Sequence, residues 1–189
     1  MSEELPKNIM DAAALKRTVE RMAHEILETE GGAEGLALIG VVRKGDYLAA
    51  RLKTVIDRVE GVTVPLGRLD ITLYRDDLGR SGSSPVVRKT QIPFDITGKT
   101  IVLVDDVLFT GRTTRAALDA IMDYGRPRAI RFAALIDRGN RELPIQPDFT
   151  GMKVKTGRGE RVMVELSEDG LEDSVYLMNA KAGWIPGED

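Results

Sequence analysis

The chain has 189 residues, of which 42% are hydrophobic and 30% charged, with a formal net charge of −3. That length suffices to bury a substantial core in a single soluble domain. The absence of cysteine and the presence of one histidine exclude a disulfide framework and thiolate or His-rich metal sites, and leave little room for a Ser-His-Asp triad. No stretch approaches the roughly 18 consecutive apolar residues of a membrane span, and no secretory signal precedes the first helical segment, so a cytoplasmic location is expected.

In chain order, Asp11 is a good N-cap for a first helix whose Leu15, Val19, Met22 and Ile26 form one apolar stripe. Arg17, Arg21, His24 and Glu28 form its opposite face, and Gly31-Gly32 ends it. Leu36 to Val42 reads as a buried strand, followed by the loop Arg43-Lys44-Gly45-Asp46 and a helix from Tyr47 to about Val59. Val62 to Leu66 and Leu69 to Tyr74 read as two further strands. From Arg75 to Pro93 periodicity gives way to a polar segment rich in Gly, Ser and Pro, which predicts a long loop of the kind that covers active sites, or else a surface excursion. The apolar run Ile101 to Val104 reads as a strand buried on both faces, at the centre of a parallel sheet. A helix from about Arg112 to Tyr124 and a strand from Ala129 to Ile136 follow. Val162 to Leu166 and Ser174 to Met178 look like shorter strands of a peripheral layer. Alternating strands and helices predict an α/β fold with a mostly parallel central sheet flanked by helices.

Charge is unevenly spread. From Arg112 to Arg141 seven arginines stand against Asp119, Asp123 and Asp137, whereas the tail from Glu160 onward carries eight acids against Arg161 and Lys181. A basic middle and an acidic end suit either an anionic ligand or merely solvated faces.

The most informative stretch is Val102 to Thr114. Its strand delivers Asp105 and Asp106 to the carboxyl end, where ligands bind in open α/β sheets. The turn Thr110-Gly111-Arg112-Thr113-Thr114 then opens a helix whose N-terminal N–H groups can hold a phosphate. The pattern is not a Walker A loop, since G-x-x-x-x-G-K-[ST] is absent. A phosphate site one turn beyond two carboxylates suits a ligand that carries both a phosphate and a diol. Gly40-Val41-Val42-Arg43-Lys44-Gly45 is a second strand-loop-helix, with two cations and a glycine that suit a dense anion. Asp46 fits there as the N-cap of the following helix.

Four apolar residues, two acids, a short spacer and Thr-Gly-x-Thr resemble the phosphoribosyl pyrophosphate (PRPP) motif of the type I phosphoribosyltransferases. The resemblance implies that Asp105 and Asp106 hold the ribose hydroxyls and act in catalysis. It gives Thr110, Gly111, Arg112, Thr113 and Thr114 the 5′-phosphate, and Val42, Arg43, Lys44 and Gly45 the pyrophosphate. LDITLYRDDL (69–78) and DRGNRELPI (137–145) narrow it to the pyrimidine-operon regulators that carry uracil phosphoribosyltransferase activity, over nearly the whole chain. That family implies one phosphoribosyltransferase domain over residues 1–189, with a flexible lid at about 75–93 and a small hood from about 137–189 joined by an N-terminal contribution. The reaction implied is uracil plus PRPP giving UMP and pyrophosphate, with Mg²⁺ carried by PRPP rather than by direct protein ligands. Arg75 would be catalytic on the lid, and Phe109, Ile136 and Arg138 would lie beside the uracil. Purine-specific relatives commonly carry an aspartate just before the Thr-Gly pair, and Phe109 cannot take a proton as that acid does.

The family's second activity is binding a stem-loop in the pyr leader mRNA under the control of UMP and UTP, which attenuates transcription. Arg17, Arg21, His24 and Arg141 are the candidate RNA contacts. Glu20 lies near His24, and Asn140 and Gln146 stand where the family pattern has histidine and arginine. The alternative is therefore a uracil phosphoribosyltransferase, or a PRPP or nucleotide sensor, with weak or no RNA binding. A homo-oligomer, dimeric or larger, is implied in either case.

Overall fold

A computed structural model describes residues 6–74, 89–157 and 159–179. Its centre is a five-stranded sheet in the order β3-β2-β4-β5-β6, with every pairing parallel. The strands are β2 (Leu36–Val41), β3 (Leu66–Leu69), β4 (Thr100–Leu108), β5 (Ala129–Asp137) and β6 (Phe149–Lys153). Helices α1 (Ala12–Glu30) and α2 (Gly45–Glu60) cover one face, packing Leu15, Ile26, Leu48 and Leu52 over Leu38, Val102, Val104 and Leu135. Helix α3 (Arg112–Met122) covers the other, setting Ala116, Ala117, Ala120 and Ile121 against Ile39, Leu103 and Ala134. Burial on both sides explains why the central strands are unbroken apolar runs. Among the described residues no helix is long and apolar enough to cross a membrane.

A second sheet, antiparallel, has the order β1-β8-β7, from β1 (Lys7–Met10), β7 (Glu160–Glu165) and β8 (Ser174–Asn179). Met10, Val162, Val164 and Val175 join it to the core under α1 and α2.

The sequence reading and the structure part in several places. The strand expected over Leu69–Tyr74 is absent: β3 stops at Leu69, and a 3-10 turn forms at Thr72–Tyr74. Asp70 is the cause, because its Oδ1 accepts both the Thr72 N–H (2.8 Å) and the Thr72 hydroxyl (2.5 Å), a local bond that competes with extended pairing. The strand expected at Val62–Leu66 begins only at Leu66. β6 and β1 had no sequence signal: each is short, at a sheet edge, and buries little beyond Phe149 or Met10. Residues 75–88, most of the expected lid, lie outside the described residues. Just after them Gln91 pairs with Arg68, and Thr90 Oγ1 accepts the Asp70 N–H at 3.0 Å.

One ion cluster ties the two sheets through α2. Arg51 donates from Nε to Glu168 Oε1 (2.8 Å), from Nη1 to Asp173 Oδ2 (2.6 Å) and from Nη2 to Ser167 Oγ (3.1 Å). Its hydrogen bonds hold the Glu168 and Asp173 carboxyls below their ordinary range. Carboxyls depressed in the folded state stabilise it fully above their unfolded values near ~4, and that contribution disappears as pH falls through the folded values. Thermal unfolding followed between about pH 5 and pH 2 should therefore show an acid loss of stability. Arg51→Met should cost about 1–2 kcal/mol at pH 7 and shrink that acid slope, while an unchanged slope would show that the cluster contributes nothing.

Candidate active site

β2 turns away before β4 ends. The last β2–β4 pair is Gly40 with Val104, whereas β4 stays paired with β5 to Leu108 and Asp137. Asp105 and Asp106 therefore lie within β4, beyond its terminus as read from sequence, at the point where β2 has left. The crossover through α2 runs outward to β3 and that through α3 runs the other way to β5, so this gap is the switch point at which such sheets bind ligands.

The acids differ in exposure, Asp105 being buried and Asp106 half-buried. Asp105 Oδ1 accepts the Asp106 N–H at 3.0 Å; Asp106 Oδ1 accepts the Val107 N–H at 2.8 Å. Burial first, then the neighbouring Asp106 charge, pushes the Asp105 carboxyl well above the ordinary range. Burial also raises Asp106, against which the Lys44 ammonium acts. Burial and a neighbouring like charge both disfavour the ionised form, and a polar ligand or cation that shares the oxygens would relieve it.

Lys44 belongs to the loop between β2 and α2. The Val42–Arg43 peptide there is cis, and Lys44 has φ 73°. Gly45 opens α2 pressed against β4: a Cβ on it would stand 2.4 Å from the Val104 carbonyl oxygen, and one on Gly40 would stand 2.3 Å from Asp46 Cα. Only glycines permit this approach, which sets the first N–H groups of α2 beside the acid pair. Arg43 reaches Asp169 at 3.9 Å. Asp46 is not the expected N-cap. Lys44 takes that position, and the buried Asp46 carboxylate instead pairs with Arg68 at 2.6 Å.

After β4, Gly111 (φ 91°) caps α3, leaving the first N–H groups of that helix without intrahelical partners. Thr110 Oγ1 accepts the Arg112 N–H at 3.3 Å, Thr113 is half-buried and Thr114 is buried. The loop after β5 clamps this turn. The N–H groups of Glu142 and Leu143 donate to Thr110 O (2.9 and 3.1 Å), and Glu142 Oε2 takes Arg112 Nε at 2.7 Å. Sequence reasoning passed over Glu142, although an acid in an arginine-rich stretch was the available signal.

Phe109 and Arg138, expected together, do meet: the guanidinium carbon lies 4.0 Å from the ring centre. Arg138 is buried, which lowers it from its ordinary value, and it donates to Thr156 Oγ1 (3.1 Å) and to the Glu160 carbonyl. Ile136 is wholly buried in the core, and its backbone is in register with Val107 and Met152. Arg75 lies outside the described residues.

The four RNA candidates divide. Arg17, Arg21 and His24 are exposed on α1, with Arg21 bonded to Glu25 and to the Thr150 and Gly151 carbonyls. Arg141 is turned inward instead: it donates to Asp137 Oδ1 (2.7 Å) and to the carbonyls of Phe109, Gly139 and Ile145. Asn140 has φ 57°, a conformation asparagine tolerates, and donates to Thr156 O at 3.0 Å.

An acid whose folded pKa is raised destabilises the fold once pH climbs above its unfolded value. Asp105→Asn should thus stabilise the ligand-free protein at pH 7 by about 1 kcal/mol, or about 2–4 °C in Tm at this size, with the gain vanishing toward about pH 4. A Tm that falls at pH 7 would contradict the strained pair.

Comparison with known proteins gives the family. A family model described as a phosphoribosyl transferase domain matches residues 7–162. Bifunctional protein PyrR of Roseiflexus sp. is 54% identical over 93% of this chain and 97% of its own length. That of Thermus aquaticus is 57% identical over 89% of this chain and 93% of its own. Among solved structures, a Bacillus anthracis hypoxanthine-guanine phosphoribosyltransferase superposes with a TM-score of 0.68 at 18% identity, covering 94% of this chain and 99% of that one, a likeness of fold. The chain therefore belongs to the phosphoribosyltransferase domain family and, within it, groups with the bifunctional PyrR proteins.

Proposed function

We propose that the protein is a pyrimidine-operon regulator that also transfers ribose 5-phosphate from PRPP to uracil, giving UMP and pyrophosphate. One observation carries the enzymatic half: an acid pair at the sheet's switch point, with the start of α2 packed against Val104 and Asp105, the start of α3 following the same strand, and Phe109 stacked on Arg138. A ligand with two anionic ends and a diol between them matches that order. On this reading the start of α3 takes the 5′-phosphate, Asp105 and Asp106 take the ribose hydroxyls, and residues 42–45 take the pyrophosphate. The Phe109–Arg138 pair borders the nucleobase, and the small sheet of β1, β8 and β7 serves as the hood.

Displacement at the anomeric carbon passes through an oxocarbenium-like centre, so the protein needs no nucleophile. Its residues position the two reactants and stabilise charge. The paired carboxylates add negative potential beside the developing positive ribose, and relief of their own repulsion favours binding. Mg²⁺ would arrive on PRPP with its waters, for which Asp105 and Asp106 would be acceptors, and would supply charge neutralisation at the pyrophosphate. A phenylalanine at position 109 favours a pyrimidine, because no carboxylate stands there to take a purine proton. Arg75 is assigned to the leaving pyrophosphate. Cytoplasmic location and a homo-oligomeric state complete the proposal.

Purified protein with Mg²⁺, PRPP and uracil should release UMP and pyrophosphate, with hypoxanthine at least about a hundredfold poorer. No product from uracil would sink the assignment. Asp106→Asn should cut kcat/KM by about 10²–10³. Arg75→Ala should lower kcat far more than it weakens PRPP binding, and equal effects would remove Arg75 from catalysis.

The regulatory half is supported by the kinship with bifunctional PyrR proteins and by the exposed Arg17, Arg21 and His24 on α1. Gel shifts with the organism's own pyr leader RNA, with and without UMP, test it. Specific binding that UMP strengthens and salt weakens is the expected result. Binding no tighter than to a scrambled RNA would leave only the enzyme.

A further inference from the structure

Asp46 is the odd residue of the pyrophosphate loop. It occupies the first turn of α2, its side chain is only 3% exposed, and its Oδ1 is buried with no hydrogen-bond partner among the described residues. An acid in a first helical turn normally benefits from the partial positive charge of the helix N-terminus. Here that same N-terminus, with Lys44 beside it, is the end assigned to a diphosphate. A buried carboxylate therefore competes for the field the ligand needs. What makes its burial tolerable is Arg68, whose Nη2 lies 2.6 Å from Asp46 Oδ2.

Arg68 is well placed to serve both anions. It lies on β3 in register with Gly40, and its backbone is bonded to Gln91 through both N–H and C=O. Its side chain remains 47% exposed while one end is held by Asp46. The Lys44 ammonium acts to lower the Asp106 carboxyl, and Arg43 is 3.9 Å from Asp169, so both nominal cations of the loop already have an acid in their field. Arg68 adds a third cation, from a neighbouring strand.

Resting on the reading of residues 42–45 as a pyrophosphate site, we propose that the Arg68–Asp46 pair sets the diphosphate affinity of that site. Asp46 is the internal anion that weakens binding, and Arg68 is the positioning cation that offsets it and turns its exposed guanidinium edge toward the ligand. A salt bridge that only held β3 to α2 would lose stability when either partner was removed and would not move diphosphate affinity in opposite directions.

The test is calorimetric titration of the full-length protein and its variants with Mg²⁺–pyrophosphate, beside the KM and kcat for PRPP and a thermal melt. Asp46→Asn should tighten pyrophosphate binding about fivefold, and Arg68→Gln should weaken it about tenfold. The double variant should return to within about threefold of wild type, since the charges cancel together. The changes should fall on KM for PRPP more than on kcat, and Arg68→Lys should recover most of the loss. Should Arg68→Gln fail to fold with its orphaned carboxylate, Asp46→Asn and the double variant still decide the sign. Wild type that binds pyrophosphate while Asp46→Asn binds it equally or more weakly overturns the proposal alone. Wild type that binds no pyrophosphate overturns the assignment of residues 42–45 as well.

Discussion

A buried Asp105 carboxyl beside a half-buried Asp106 is the constraint around which the rest of the site is arranged. Asp105 and Asp106 can occupy one crevice only because β4 outruns β2, which removes the neighbouring strand where the acids emerge. Burial and the neighbouring Asp106 charge leave the Asp105 carboxyl well above its ordinary range. Backbone N–H groups of the pair and the Lys44 ammonium act against that rise. A ligand that brings hydroxyl donors between the acids and anions to the helix ends completes an electrostatic pattern already present in the fold. Such preorganisation lets binding and charge stabilisation use the same groups.

Much of this was legible in the sequence, and the reason is physical. The unbroken run from Ile101 to Val104 had to be a strand covered on both faces, and acids directly after it had to lie at the ligand-binding end. Gly111 and the threonines around it could be read as a helix start because glycine and hydroxyl residues favour that turn. The helical stripe of α1 and the N-cap at Asp11 likewise follow from local chemistry, and Asp11 Oδ1 does accept the Ala14 N–H at 2.7 Å.

What escaped was set by partners remote in sequence. Asp46 looked like a helix cap because nothing local announced Arg68, 22 residues later, as its partner. Leu69–Tyr74 looked like a strand because the alternation of Leu69, Ile71 and Leu73 outweighed the Asp70 side chain that folds the backbone back on itself. Arg141 looked like a surface cation, whereas the carbonyls and the carboxylate that bind it converge only once β4, β5 and their loops are in place. β6 carries one buried aromatic and no apolar run, so its existence depends on β5 offering an edge.

The glycines at 40 and 45 have a consequence for how this site can vary. They bring the start of α2 into contact with the backbone of β4 and Asp46. The path of the loop is thereby held by main-chain contacts that do not involve the Arg43 side chain, which is half exposed. Substitutions at that position can add, remove or reverse charge near the helix N-terminus without entering those contacts. The loop thus separates where an anion sits from how tightly it is held, and the second property can drift while the first stays in register with the acids.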